Sequence, residues 1–424
     1  MNLFNRIINN PFLKNVSILA SGTIISQIIV VAMSPILTRL YSVEAFGTLS
    51  LFTSFMVIFG VITTGRYELA MGLPEKDKKA KDLIKLIFIL GFIVSIVYLV
   101  ILFITKEIIQ YSDSSGLFQS NWIYLAPIYT FFIAIYSSLI YWNQRKKEYK
   151  KITISNALQV ISTTVFSLLF GFFGWIESGM MISLVLGIII SSWFLLKDFN
   201  NEDLLINNND LKKVGKEYIS FPKYMILSDL SLTTGQQFIP IIFSSLFSTT
   251  IVGYYSLANR MIRLPNIIIT SSIANVFRND AIDEIRKNGN CEQLYKSIFK
   301  KLFVLSLPIY LSVFIFSPIL FTFFFGEKWL MAGNFARILS VLLLIEFIAT
   351  PLNSLFYIME RQKVFMRLQI LNTIFGGLLI YVGYKVFNDS YYSLILFCFN
   401  AIIFNVLFIY LTYYYSKENS CLSK

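Results

Sequence analysis

The chain has 424 residues, of which 56% are hydrophobic, only 14% are charged and none is histidine. A typical soluble domain carries about a quarter charged residues, so this composition excludes an ordinary soluble globular protein. The lack of histidine excludes imidazole proton relays, histidine-ligated metal sites and histidine-based nucleophilic catalysis. The three cysteines, Cys291, Cys398 and Cys421, are too scattered to form a disulfide framework or a metal site.

Long apolar runs recur through the whole sequence, and runs of about 18 or more residues are typical of membrane-spanning helices. The first run is too long for the apolar core of a signal peptide, so we expect it to be a retained helix. The pattern predicts an all-α polytopic membrane protein with about twelve transmembrane helices, at roughly 15–38, 45–72, 83–105, 122–142, 152–174, 179–196, 221–246, 250–275, 302–324, 335–358, 367–386 and 391–415.

The basic residues alternate sharply between the two sides of the predicted membrane. Most of the 36 lysines and arginines fall in the N-terminal segment, the C-terminal segment and every second loop. The loops of the opposite side carry only Arg39, Lys106, Lys328 and Lys385. Because basic loops stay in the cytoplasm, this asymmetry predicts that both termini are cytoplasmic. The net charge of +12 then favours contact with anionic membrane lipids rather than with nucleic acid.

Three segments of the first half recur in order in the second half, at a nearly constant offset. The best example is `SVEAFGTLSL` (Ser42–Leu51), which matches `STTIVGYYSL` (Ser248–Leu257) in Ser, Gly, Ser and Leu. The other two pairs are `LIKLIF` with `LYKSIF` and `YWNQRKKEY` with `YIMERQKVF`. We interpret the sequence as an N-terminal six-helix bundle (1–200), a cytoplasmic linker (201–220) and a C-terminal six-helix bundle (221–424).

An even number of spans in each half means that both halves enter the membrane in the same direction. Repeats of this kind are related by a pseudo-twofold axis along the membrane normal, with a cavity expected where the bundles meet. Rocking of the two bundles about that cavity would expose it to each side in turn. The topology therefore predicts an alternating-access transporter.

A few charged residues lie inside the predicted spans. A charge at the centre of a spanning helix costs about 2.5–3.5 kcal/mol on insertion scales, so such residues usually face a polar cavity. Arg66 has two interpretations, an interfacial anchor or a residue that points into the cavity. Positions i and i+2 lie on different faces of a helix, so we expect Glu68 to pair with a group other than Arg66.

Arg260 and Arg263 lie at i and i+3, and we expect them to share one face of the eighth span. Two guanidinium groups on one face favour an anionic oxygen cluster such as phosphate, which each can bind through two N–H groups. The alternative is that they pair with acidic side chains of neighbouring helices.

Asp229 lies in a polar stripe of the seventh span that also carries Gln236 and Gln237. Such a stripe cannot face lipid, so it either holds helices together or lines a water-filled path. We assign Arg66, Arg260, Arg263, Gln236 and Gln237 as candidate substrate-binding residues. The candidate carboxylates for coupling to H+ or Na+ are Asp229, Glu68 and Glu346.

Four segments carry a family resemblance: `LTRLYSVEAFGTLSLFTSF` and `GRYELAMGLP` in the first half, `FPKYMILSDL` and `IVGYYSLANRMIRLP` in the second. They resemble the polysaccharide transporter family, the Wzx-type O-antigen and capsule flippases of the multidrug/oligosaccharidyl-lipid/polysaccharide exporter superfamily. The resemblance implies movement of an undecaprenyl-pyrophosphate-linked oligosaccharide from the cytoplasmic to the outer leaflet of a bacterial inner membrane. It implies a transporter rather than an enzyme, without a cofactor or metal, alongside a polymerase and other polysaccharide assembly proteins.

Two other functions are compatible with the sequence. A cation-coupled multidrug exporter of the same superfamily would prefer a more acidic or apolar cavity, which the Arg260 and Arg263 doublet disfavours. A membrane glycan polymerase or glycosyltransferase is disfavoured by the short outside loops and the lack of histidine.

Overall fold

The computed structural model describes residues 11–109, 121–176, 178–197, 199 and 208–418. Within these ranges the chain is helical and contains no β-strand. Nine helices in the described residues are long and apolar enough to cross a membrane, and two shorter apolar helices are Ile24–Leu40 and Gln237–Leu246. The all-α polytopic fold is therefore confirmed, whereas the number twelve and the pseudo-twofold axis remain predictions.

The chain separates into two compact units, Met1–Thr249 and Thr250–Lys424. This division falls later than the linker that the sequence predicts at 201–220, of which residues 201–207 lie outside the described part of the chain. The assignment of six helices to each bundle therefore stays a prediction.

The described residues of the first unit form eight α-helices. They are α1 (Pro11–Leu40), α2 (Val43–Thr63), α3 (Asp77–Ile109), α4 (Leu125–Arg145), α5 (Tyr149–Phe172), α6 (Gly179–Leu196), α7 (Asn208–Glu217) and α8 (Ile226–Leu246). Short 3₁₀ helices lie at Tyr67–Ala70 and Asn121–Tyr124, and a π-helical segment, Phe221–Met225, leads directly into α8.

The second unit begins within the first turn of α9, and its described residues, up to 418, form six further α-helices. The bounds are α9 (Thr249–Ile262), α10 (Ser271–Asn288), α11 (Glu292–Phe325), α12 (Leu330–Leu352), α13 (Ser354–Ile358), α14 (Gln362–Phe387) and α15 (Ser390–Lys417). A second π-helical segment, Asn266–Thr270, separates α9 from α10, and a 3₁₀ helix, Glu327–Trp329, precedes α12.

Helix α3 shows how the apolar sequence is used. One face packs inside the unit, where Leu83, Ile84 and Ile87 are fully or almost fully buried. The opposite face exposes large apolar side chains, namely Phe92, Ile93, Ile96, Val97, Val100 and Phe103. In water such a surface would mark a binding site or an aggregation hazard, but it is the expected outer surface of a helix in lipid.

Small residues set the closest helix contacts, as expected where helices pack in lipid without a hydrophobic driving force. In the first unit, a Cβ added to Gly187 of α6 would lie 2.1 Å from Oγ1 of Thr163 in α5. In the second unit, a Cβ added to Gly333 of α12 would lie 2.6 Å from the Cα atom of Pro318 in α11. Glycine therefore lets each of these helix pairs approach to backbone contact.

The amphipathic helix α7 lies outside the apolar spans and packs its buried face on the start of α3. Val214 and Tyr218 belong to the same buried cluster as Leu83, Ile84 and Ile87. Its lysines, Lys212, Lys213 and Lys216, are exposed. Apolar contacts thus fix the helix that immediately precedes α8.

Candidate functional site

A sharp backbone turn follows α2 and places the first set of candidate residues. Helix α2 ends at Thr63, and both Gly65 (φ 59°) and Arg66 (φ 58°) adopt left-handed conformations. A left-handed backbone is uncommon for a residue other than glycine. The backbone N–H of Arg66 donates to Oγ1 of Thr64, 3.2 Å away. The chain therefore leaves the helical path before Arg66, and the predicted span 45–72 contains a shorter helix.

This turn brings Arg66 and Glu68 together. Nη1 of Arg66 donates to Oε1 of Glu68 at 3.1 Å. The expectation that these residues do not pair was wrong, because it assumed a continuous helix. With Arg66 left-handed and Tyr67–Ala70 in a 3₁₀ helix, positions i and i+2 no longer point to opposite faces.

Arg66 also pairs with Asp229 of α8, within the same unit. Its Nε atom lies 2.7 Å from Oδ2 of Asp229, although the N–H does not point at that oxygen well enough for a hydrogen bond. The Arg66 side chain is 23% exposed, Asp229 is 24% exposed and Glu68 is 2% exposed. We call these three residues the α2–α8 charge cluster, which carries two carboxylates for one guanidinium.

Glu68 is the most buried member of the α2–α8 charge cluster. Its Oε2 atom is buried and has no hydrogen-bond partner among the described residues. A buried polar atom without a partner costs about 1–3 kcal/mol, and more if it is charged. Burial of this carboxylate is therefore stabilised mainly through Oε1 and the Arg66 charge.

Tyr67, between the two paired residues, ties the same turn to α7. Its hydroxyl donates to the carbonyl oxygen of Gly215 at 3.0 Å. Arg66 contacts α8 and Tyr67 contacts α7, so consecutive residues of one turn hold two consecutive helices. This link joins α7 to the helix that carries Asp229.

The polar stripe of α8 has a clear packing role at one position. Oγ of Ser54 in α2 donates to Oε1 of Gln237 at 2.9 Å, across 183 residues of sequence. This contact supports the interpretation of Gln237 as a residue that holds helices together. The side chain of Gln236 lies outside the described residues, so its role remains a prediction.

The second unit contains a separate ion pair between Arg263 and Glu346. Nη1 of Arg263 donates to Oε1 of Glu346 at 2.6 Å, and Nη2 donates to Oε2 at 3.3 Å. The Nε–H of Arg263 donates to Oδ1 of Asn259 at 3.1 Å. The side chains of Arg263 and Glu346 are 34% and 24% exposed. Each donor group of the guanidinium therefore has a protein acceptor, in the arrangement that the acidic-partner alternative expects.

Buried polar contacts continue beside this ion pair. The hydroxyl of Tyr310 donates to Oδ1 of Asn266, 2.5 Å away, and Nδ2 of Asn266 donates to the carbonyl oxygen of Leu343 at 3.4 Å. Asn266 is the first residue of the π-helical segment, and Leu343 lies one turn before Glu346 on α12. The interior of this unit thus contains a polar region built from α9, α11 and α12.

Arg260 differs from Arg263 although it lies only three positions earlier. Its side chain is exposed, and it forms no ion pair or hydrogen bond with the residues that the structure describes. The two arginines therefore do not act as a matched doublet in this structure. Arg263 is held by Glu346, whereas Arg260 has no such partner among the described residues.

Two features of the site were not predicted from the sequence. Asn259 supplies an acceptor to Arg263, and its i, i−4 spacing from that arginine was a usable signal. The π-helical segments at Phe221–Met225 and Asn266–Thr270 were also missed, although Pro222 and Pro265 mark both places. Proline removes a backbone N–H and disturbs the regular ladder of the helix.

A protein-family model described as "Polysaccharide biosynthesis protein" matches residues 36–334. This chain belongs to that family. The match includes α2, α8, α9 and the start of α12, and so ends before Glu346. The family resemblance that the sequence motifs predicted is confirmed.

Solved transporter structures share the fold at low sequence identity. A multidrug resistance MATE family transporter of the MOP superfamily, in an inward-facing conformation, has a TM-score of 0.71 at 14% identity, covering 91% of this chain and 93% of that chain. The lipid II flippase MurJ, in an inward closed conformation, has a TM-score of 0.70 at 13% identity, covering 93% and 86%. A MOP superfamily transporter from Pyrococcus furiosus gives 0.58 at 15% identity, covering 95% of each chain. No curated protein matches the sequence.

Proposed function

We propose that this protein is a flippase that moves an undecaprenyl-pyrophosphate-linked oligosaccharide, an O-antigen or capsule repeat unit, from the cytoplasmic to the outer leaflet by alternating access. Family membership supports a role in polysaccharide biosynthesis, and the transporter fold supports movement across a membrane. The protein would act as a transporter without a cofactor, in a bacterial inner membrane with both termini cytoplasmic. A polymerase and other assembly proteins would act on the product.

The observation that carries this proposal is the set of arginines inside an otherwise apolar helical protein. Arg66, Arg260 and Arg263 all lie in segments that the sequence predicts to be spanning. A pyrophosphate group and a sugar head are both insoluble in hydrocarbon, so their carrier needs a polar surface with positive charge. Arg260 in particular is exposed and has no partner among the described residues.

The proposal separates this protein from a multidrug exporter by the charge of its cargo. An organic cation would be repelled by an unpaired arginine, whereas a pyrophosphate oxygen would bind it through charge-assisted hydrogen bonds. Coupling to H+ or Na+ through Glu68, Asp229 or Glu346 would supply the driving force.

The test is leaflet exchange of a fluorescent lipid-linked oligosaccharide in liposomes that contain the purified protein. We expect the protein to accelerate the exchange, and the Arg260→Ala variant to lose most of that acceleration while folding normally. A Lys385→Ala variant, which removes a charge from the side with few basic residues, serves as the control. Exchange at the rate of empty liposomes, or transport of organic cations instead, would overturn the proposal.

A further inference from the structure

Two arginines in separate units have the same arrangement of partners. Each has one partner in its own local segment and a second partner, a carboxylate, on a helix distant in sequence. The local partner fixes part of the guanidinium, and the distant carboxylate takes other N–H groups. For Arg66 and Arg263, the local partners are Glu68 and Asn259, and the distant carboxylates are Asp229 and Glu346.

The two carboxylates on Arg66 are not equivalent. Glu68 is almost fully buried and accepts a directed hydrogen bond from Nη1. Asp229 is about a quarter exposed, and its short contact with Nε is not aligned as a hydrogen bond. Because a directed, buried hydrogen bond is harder to replace than a misaligned, partly exposed contact, Asp229 is the exchangeable partner.

Glu346 accepts hydrogen bonds from the same N–H groups of Arg263 that a phosphate would bind. Asn259 takes Nε, and Glu346 takes Nη1 and Nη2 in a two-pronged contact. Carboxylate and phosphate oxygens bind the same fork of N–H groups on an arginine. Glu346 therefore stands where a pair of phosphate oxygens would bind.

An irregular backbone lies beside each exchangeable pair. The π-helical segment Phe221–Met225 ends one turn before Asp229, and the segment Asn266–Thr270 begins one turn after Arg263. Segments of π-helix are frequent at functional sites, where they interrupt the regular hydrogen-bond ladder. The backbone next to Asp229 and next to Arg263 is thus already irregular.

We propose that Asp229 and Glu346 are placeholder carboxylates, each of which holds the arginine of its own unit, Arg66 or Arg263, until a phosphate group displaces it. This inference rests on the proposed function, because it assumes an anionic cargo. When a phosphate group binds either arginine, its oxygens take the N–H groups, and the released carboxylate, which is partly exposed, moves into water. The arginines then remain paired throughout the exchange, which avoids the cost of a partly buried charge without a partner.

A placeholder has an effect that a binding or ion-coupling residue lacks. Since it competes with the ligand for the same N–H groups, its removal strengthens ligand binding. Removal of a group that contacts the ligand weakens binding, and removal of a nearby carboxylate that does not compete for the same N–H groups changes it only through weaker charge repulsion. Glu68 serves as an internal contrast, because it anchors Arg66 from the buried side.

The experiment measures binding of inorganic pyrophosphate to the purified full-length protein at low ionic strength and fixed pH. We expect Glu346→Gln and Asp229→Asn to bind at least about tenfold more tightly than the unmodified protein, and Glu68→Gln to gain much less affinity than Asp229→Asn. Glu217→Gln, which breaks an exposed pair with Lys79, is the matched control and should leave binding unchanged. Adding Arg263→Gln to Glu346→Gln should remove the gain. Unchanged or weaker binding in both placeholder variants would overturn the proposal.

A second readout guards against misfolding. The Glu346→Gln variant lacks the charged partner of Arg263. Pyrophosphate should therefore raise the unfolding temperature of this variant more than that of the unmodified protein. An equal or smaller rise would also overturn the placeholder role. Because neither measurement involves lipid or transport, a protein without leaflet exchange activity would count against the proposed function alone.

Discussion

Arg263 binds both carboxylate oxygens of Glu346, with Nη1–Oε1 and Nη2–Oε2 distances of 2.6 Å and 3.3 Å, across 83 residues of sequence. This contact joins the end of α9 to the middle of α12. It is the best-formed ion pair among the candidate residues, because it is two-pronged and its Nε–H also has an acceptor. The coupling free energy between these two side chains is therefore the first quantity to measure.

We expect Arg263 and Glu346 to be coupled by about 1–2 kcal/mol in a double-mutant cycle, because both side chains are partly shielded but not fully buried. The measurement is the free energy of unfolding of Arg263→Gln, Glu346→Gln and the double variant. Effects that simply add, within about 0.5 kcal/mol, would show that the contact contributes nothing of its own.

Replacing Glu68 with alanine should destabilise the protein more than replacing it with glutamine. Glu68→Ala leaves Arg66 without its directed partner and should destabilise the protein by about 3 kcal/mol. Glu68→Gln keeps an oxygen for Nη1 and removes a buried charge, so it should cost less. Unfolding temperatures of the two variants check this order, with Glu75→Ala at an exposed nearby position as the control. A glutamine variant as unstable as the alanine variant would contradict it.

Gly333 should not tolerate even a methyl group. A Cβ there would lie 2.6 Å from the Cα atom of Pro318 and 3.0 Å from the carbonyl oxygen of Ser317, and backbone atoms cannot rotate away. We expect Gly333→Ala to lower the free energy of unfolding by about 1–3 kcal/mol. The matched control is Gly72→Ala, where nothing lies within 4 Å, and equal stability of both variants would refute the close contact.

Substitution of Arg263 should change the stability of the protein, whereas substitution of Arg260 should change its transport activity. Arg263→Ala removes the partner of Glu346 and should lower the unfolding temperature. Arg260→Ala removes a side chain without an ion pair in the described residues, so its unfolding temperature should stay unchanged while leaflet exchange falls. Thermal unfolding and exchange rates measured on the same preparations distinguish the two. The opposite assignment, with Arg260→Ala unstable, would argue for a structural partner of Arg260.

The helices were largely predictable because their cause is local. An apolar run long enough to cross the hydrocarbon layer must satisfy its own backbone, and a helix does so within the segment. The predicted span 250–275 departs furthest from this rule. It consists of α9, a π-helical segment and the start of α10, and it does not form one long apolar helix. Pro265, together with Arg260 and Arg263, interrupts both the ladder and the apolar pattern.

The ion pairs were not predictable, because they depend on backbone detail and on contacts between distant helices. The spacing of Arg66 and Glu68 forbids pairing on a helix, but the left-handed conformation of Gly65 and Arg66 permits it. No sequence pattern shows which carboxylate Arg263 selects from another helix. Composition thus identified the charged residues in the spans, and only the fold assigned their partners.

The hydrogen bond from Tyr67 to Gly215 couples the position of α7 to that of Arg66 and Asp229. Arg66 and Tyr67 are neighbours in one tight corner, so any displacement of Asp229 that pulls on Arg66 also strains the attachment of α7. A spectroscopic label on Lys212, which points outward from that short helix, would report cargo-driven rearrangement from the aqueous side, without a probe in the bilayer.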